Sequence, residues 1–200
     1  QLPYPASVAK FSRDELLAFG RNYMDSTAVY RTGKAFFIDK LPTNFDKVGL
    51  IHMLLPQAII IDARRHPLDC GLSCFKQHFA GGHRFSYKLE HIGHYYNNYL
   101  RMMDHWDAVL PQKVLRVQYE SMVSQTEETV RDMLRHCGVA FEDNCLRFFA
   151  NKRAVRTASS EQVRQPIYTG SVRSWKNFET ELLPLIAALG KDTLARFADI

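Results

Sequence analysis

Hydrophobic and polar positions along these 200 residues follow two rhythms, apolar spacings of three and four and short unbroken apolar runs. The first marks helices and the second marks buried strands. Ser12 can cap a helix reaching about Asp25, with Asp14 and Glu15 in its first turn favouring the helix dipole. The run AFFIDK (35–40) predicts a short strand stopped by Leu41-Pro42, followed by a helix from about Asn44 to Leu55. AIIIDA (58–63) is too apolar for a half-exposed strand and predicts a central parallel strand covered on both faces.

That run ends in Arg64 and Arg65, and a helix opening near Pro67 then carries Asp69, Ser73 and Lys76. A long helix is predicted over 86–110, with Leu89, Ile92, Tyr96, Tyr99 and Met103 on one face. VLRVQY (114–119) reads as the next strand, and 124–138 as a helix with Gly138 as its C-terminal cap. A short helix over 141–150, an irregular polar stretch over 151–174 and a helical segment over 175–190, interrupted or started at Pro184, complete the pattern. Strands alternating with helices predict an α/β fold, a mainly parallel sheet flanked by helices, in one domain over 1–200.

In such a sheet, ligands bind beyond the carboxyl ends of the strands. Those ends deliver Asp39 and Lys40, then Arg64 and Arg65, then Tyr119 and Glu120. Arginine, lysine and a phenol are good phosphate ligands, through charge and hydrogen bonds. The formal net charge of +5 fits an anionic partner: a nucleotide, a nucleic acid, or a sulfated or phosphorylated compound.

Cys70, Cys74, Cys137 and Cys145 form no C-x-x-C pair and read as mostly buried free thiols of an intracellular, cytoplasmic protein. No ligand cluster argues for a metal. No apolar run approaches the ~20 residues that span a bilayer, so no membrane association is expected. The start, QLPYPASVAK, lacks the pattern of a secretory signal. Arg64 is expected to cap its strand and pair with Asp62 or Asp69 on the surface, His66 to be a solvated loop residue, and Trp175 to pack. The aromatic line Tyr95, Tyr96, Tyr99 and Trp106 is expected to serve the core.

The run R-x-x-x-D-x-x-x-S, here Arg65, Asp69 and Ser73, resembles the 3′-phosphate-binding segment of sulfotransferases. FIDKLPTNFDKVGLI, LPQAIIIDARRHPLDCGLSCFKQHFA, VLRVQYESMV and RTASSEQVRQPIYTGSVRSW follow in the order and spacing of bacterial sulfotransferase domains. Those domains are often attached to tetratricopeptide repeats and are related to the tyrosylprotein sulfotransferases. The resemblance implies a P-loop nucleoside-triphosphate-hydrolase-like fold and, as donor, 3′-phosphoadenosine 5′-phosphosulfate (PAPS), with adenosine 3′,5′-bisphosphate as product. It implies that Arg65 and Ser73 hold the 3′-phosphate and that Tyr119 contacts the same nucleotide. In the late loop, Gly170, Ser171 and Arg173 would close over it, although Tyr168-Thr169-Gly170 stands where cytosolic members carry Arg-Lys-Gly. Lys40 matches a lysine beside the transferred group, where an ammonium can stabilise charge on the leaving nucleotide without any metal.

The family's glycine-rich 5′-phosphosulfate loop has no counterpart here, and the catalytic glutamate of the tyrosylprotein enzymes would precede Gln1. The expectation is therefore that these residues are the larger, C-terminal part of a longer chain. The missing first strand would leave apolar strand edges uncovered. The acceptor stays open among small molecules, glycans and peptides. Two other classes are weighed against this reading. One is a kinase-like phosphoryl transferase, which should carry G-x-x-x-x-G-K-[ST]. The other is a non-catalytic basic module, for which no clustered Lys/Arg face exists; nucleic acid is not the expected partner.

Overall fold

The computed structural model describes residues 3–79, 81–151 and 161–200. The chain divides into two compact units, Gln1–Ile60 with Arg101–Val114, and Ile61–Leu100 with Leu115–Ile200.

In the first unit, α1 (Arg13–Ser26) begins in a full capping box. The Glu15 amide donates to Ser12 Oγ while the Ser12 amide donates to the Glu15 carboxylate. α1 lies against α2 (Val48–Leu54), and Gly20 makes this possible: a Cβ there would fall 2.0 Å from the Leu54 carbonyl oxygen. The single helix predicted over 44–55 is instead a 3₁₀ turn, Pro42–Asp46, followed by α2. Lys47, at φ −120° and ψ 7°, breaks the helical run between them. Trp106 fixes that turn by donating its indole N–H to the Phe45 carbonyl at 2.7 Å.

The strand predicted over 35–40 does not form. Its residues are exposed, Ile38 to 92%, although Tyr23 donates to Asp39 at 2.6 Å and Arg31 lies over the Phe37 ring. Extended backbone becomes a strand only when a neighbour takes up its N–H and C=O groups. Among the described residues no strand pairs with this one.

The sheet that does form has two parallel strands, β1 (Ile60–Arg64) and β2 (Val114–Gln118). β1 is not covered on both faces as expected, because Ile61 and Ala63 are exposed. The more buried face carries Asp62 and Arg64, which form an ion pair at 3.1 Å. Burial of two charges is tolerable because each is satisfied. Tyr99 accepts from Arg64 Nε at 2.8 Å and donates to Asp62 at 2.7 Å, and Arg116 approaches the same carboxylate. Burial, then the Asp62 charge, pushes the Tyr99 phenol well above its usual range, so it stays a donor.

The core of this second unit is built by α3 (Pro67–Lys76), α4 (Leu89–Val109) and α7 (Leu183–Ala195). Leu68, Leu72, Ile92, Tyr96, Leu185 and Leu189 meet there, with Leu185 wholly buried. Of the aromatic line, Tyr96 joins this core, Tyr95 stacks on Phe85 and Tyr99 serves the ion pair. Two short elements follow β2: α5 (Tyr119–Ser124) and α6 (Thr126–Cys137), which Gly138 ends in the left-handed conformation at φ 66°. Tyr119 therefore opens a helix instead of ending a strand. The helix predicted over 141–150 is a 3₁₀ segment, Asp143–Ala150. The helical stretch predicted over 175–190 splits into a 3₁₀ turn, Ser174–Phe178, and α7, with Pro184 in its first turn. Within the irregular stretch predicted over 151–174, residues 152–160 lie outside the described residues.

Candidate functional site

At the end of β1 the chain turns through Arg65 and His66 into α3. His66 is the N-cap: its Nδ1 accepts from the Leu68 amide at 3.3 Å. Its own amide donates to the Glu120 carboxylate at 3.0 Å, which Gln118 also engages at 2.6 Å. The ring stacks on Trp175, with planes 2° apart and centroids at 5.6 Å. His66 is thus buried, not a solvated loop residue, and burial lowers its pKa from the ordinary value.

These contacts hold Arg65 in a fixed pose. Its carbonyl accepts from the Tyr96 hydroxyl at 2.6 Å, and its guanidinium lies 4.8 Å over the Tyr119 ring. One nitrogen, Nη2, donates to the Ser171 carbonyl at 2.5 Å. The Tyr119 hydroxyl and Ser171 Oγ are 2.6 Å apart. Arg65, Tyr119 and Ser171, three residues from distant parts of the sequence, therefore form one polar group. Within it, Arg65 Nε is buried and has no hydrogen-bond partner among the described residues. An unsatisfied buried N–H costs about 1–3 kcal/mol, and Arg31 Nε shares this condition.

The late loop is tied to α3 by Asp69. Its carboxylate accepts from the Arg173 amide at 2.7 Å, Ser174 Oγ at 2.8 Å and the Trp175 amide at 2.9 Å. Arg173 is held at φ 58°, a left-handed conformation that a non-glycine residue adopts at a cost of about 1–3 kcal/mol. The Asp69 bond to its amide offsets that strain. The guanidinium of Arg173 is exposed, and Gly170 sits in an open turn where a Cβ would have only Tyr168 near it, at 3.8 Å. Packing within the loop does not demand glycine at 170.

Ser73 is exposed on α3, one turn beyond Asp69, and no hydrogen bond joins it to the Arg65 group among the described residues. Lys40 belongs to the first unit, exposed beside Asp39 in the unpaired run 35–40. Arg64 pairs with Asp62 but is buried, not on the surface as expected, and Trp175 packs against the core. A cleft of about 520 Å³ borders this region, lined by His66, Arg173, Trp175 and Lys176 with walls from Leu68 and Phe197. Arg65, Tyr119 and Ser171 lie outside it. Among the described residues no three His, Cys, Asp or Glu side chains are grouped to hold a metal ion, and no helix is long and apolar enough to cross a membrane.

Sequence reasoning missed Asp69 and Glu120 as organisers. Asp69 was visible as the middle residue of the R-x-x-x-D-x-x-x-S run and as a carboxylate in the first turn of a helix, but neither signal pointed to the late loop. Its three partners lie more than a hundred residues away.

The matched segment covers the strand–helix turn and Tyr119: residues 5–143, more than half of the chain, match the Sulfotransferase family. An uncharacterized protein of Aquifex aeolicus (strain VF5) is 35% identical over 189 residues, covering 93% of this chain and 25% of its own length. The chain thus spans about a quarter of the length of that curated relative. With Arg65, Ser73 and Tyr119 all inside the matched segment, the chain belongs to the Sulfotransferase family.

Proposed function

We propose that the chain takes part in sulfuryl transfer from PAPS to a hydroxyl or amine acceptor, and that the Arg65 group receives the 3′-phosphate of the nucleotide. The observation that carries this reading is Arg65 Nε, buried and, among the described residues, without a partner, on a guanidinium already held by Tyr119 and Ser171. A phosphate oxygen supplies the acceptor that this N–H lacks, and the interaction is charge-assisted. The residues fit the nucleotide in kind: a fixed guanidinium, two hydroxyls in contact with each other, and a loop whose exposed arginine adds positive charge.

Arg65 and Ser171 would orient the phosphate, Tyr119 would support the guanidinium, and Ser73 would add a hydroxyl from α3. Gly170 would allow backbone approach, and Arg173 would screen the nucleotide from the open side. When bound, PAPS supplies an activated sulfuryl group. Lys40 would stabilise negative charge on the leaving oxygen. No metal enters this scheme. The sheet would be P-loop-like, and the domain would act in the cytoplasm in a protein that can also carry tetratricopeptide repeats. The acceptor is a small molecule, a glycan or a peptide.

Equilibrium titration with three nucleotides tests the reading. Adenosine 3′,5′-bisphosphate should bind at least about tenfold more tightly than adenosine 5′-monophosphate, since one charge-assisted contact contributes about 1.5–3 kcal/mol. ATP should not compete. Equal binding of the monophosphate, or preference for ATP, would remove the 3′-phosphate assignment and favour a phosphoryl transferase.

A further inference from the structure

Of the residues lining the cleft beside the late loop, the proposed transfer uses only Arg173. The cleft lies wholly within the second unit, between the start of α3, the stretch 173–179 and the residues 186–200. Gly190 shapes the last of these. At φ 78° and ψ 163°, a conformation open to glycine, it breaks α7, so the chain leaves the helix line before Leu194, Phe197 and Ile200 join Ile186 in the lining. These side chains and Leu68 make an apolar wall, which Trp175, stacked on His66, extends.

Charge sits on one part of the lining: Arg173 and Lys176, against the single carboxylate of Glu179. The Lys176 ammonium stands 6.0 Å from the centre of the Trp175 ring. Among the described residues no ion pair takes up Arg173, Lys176 or Glu179. Asp69 engages Arg173 through its amide and holds it in the left-handed conformation, while no described hydrogen bond engages its guanidinium. A cleft of about 520 Å³ is in the range of small-molecule sites, where apolar walls give affinity and a few polar groups fix orientation.

We propose that this cleft binds a carboxylate with an apolar body, its head on Arg173 and Lys176 and its body against Trp175, Leu194 and Phe197. The planar guanidinium fork matches a carboxylate with two parallel N–H···O bonds, and the ammonium adds a second attraction. Two cations against one carboxylate leave one net positive charge, which suits a monoanion better than a phosphate dianion. The apolar wall has no side chain to satisfy hydroxyl groups, so a sugar or nucleoside would lose its hydration there without return. The inference goes beyond the nucleotide reading, since Arg65, Tyr119 and Ser171 lie outside the cleft.

Calorimetric titration of the intact protein with hexanoate, octanoate and decanoate tests this. Each added pair of methylenes should tighten binding by about tenfold as it enters the cleft. Decanol, with the same length and no charge, should bind about tenfold more weakly than decanoate or worse. Lys176→Gln and Arg173→Asn should each weaken decanoate by about tenfold; asparagine accepts the left-handed conformation, so the tie to Asp69 persists. Ala198→Trp should abolish binding by filling the cleft. All three substitutions fall at exposed positions, so urea midpoints should stay native. Decanol binding as tightly as decanoate, or native affinity in both charge variants, would overturn the carboxylate. Undiminished binding by Ala198→Trp would overturn the cleft as its place. Saturating adenosine 3′,5′-bisphosphate should leave decanoate bound, and displacement would overturn a separate site. A protein that binds decanoate and no nucleotide would count against the nucleotide reading alone.

Discussion

Two runs of this chain are nearly alike on paper and differ in the structure. AFFIDK and AIIIDARR both string β-formers together and end in an aspartate followed by positive charge. The second becomes β1, because β2 takes up its backbone groups and Tyr99 satisfies its inward-facing Asp62 and Arg64. The first forms no strand and stays exposed, with Ile38 almost fully open to solvent. Strand propensity was equal to the task in both places; among the described residues a partner strand is present in only one. The same difference separates the two cationic ends: Arg65 is held by Tyr96, Tyr119 and Ser171, while Lys40 lies in an exposed run.

The largest expected effect comes from breaking the better-supported run. Arg64→Ala leaves the buried Asp62 with only the more distant Arg116 as ion-pair partner and should destabilise the protein by about 3–5 kcal/mol in urea unfolding. A loss below about 1 kcal/mol would mean that Tyr99 and Arg116 already suffice. Next comes the tie between α3 and the late loop. Asp69→Asn removes the charge that three donors share, so a loss of about 2–3 kcal/mol is expected, with faster amide exchange at Arg173 and Trp175. Native-like exchange at those amides would show that the loop is held by something else.

A smaller effect should follow pH. Burial lowers the folded-state pKa of His66 below its ordinary 6.5, so the unfolded chain takes up a proton first as the solution is acidified. The stability that His66 contributes is therefore complete above 6.5 and is lost as pH falls through its folded pKa. His66→Asn should flatten this part of the pH–stability curve, and an unchanged curve would assign the slope to other groups. The smallest effect belongs to the unpaired run: Ile38→Ser should change stability by less than about 0.5 kcal/mol. A larger loss would show that Ile38 is covered in solution.

Local rules made much of the fold legible in the sequence. Ser12, Pro67 and Gly138 each marked a helix boundary through chemistry confined to a few neighbouring residues. Arg65 and Tyr119 were readable as candidates because strand ends in α/β sheets present side chains at one rim. What stayed hidden is non-local. Nothing near Asp69 in sequence reveals that it holds Arg173, Ser174 and Trp175, and nothing near His66 reveals its stack on Trp175. The misplaced strand at 35–40 and the mistaken full cover of β1 have the same root. Both depend on which neighbours are present, and a run of β-formers carries no information on that.

The account turns on Arg65, and calorimetric titration of the native chain and Arg65→Ala with adenosine 3′,5′-bisphosphate tests it most directly. Loss of the guanidinium should weaken binding by about tenfold to a hundredfold, the range for a charge-assisted hydrogen bond of about 1.5–3 kcal/mol. Binding by Arg65→Ala as tight as that of the native chain would contradict it.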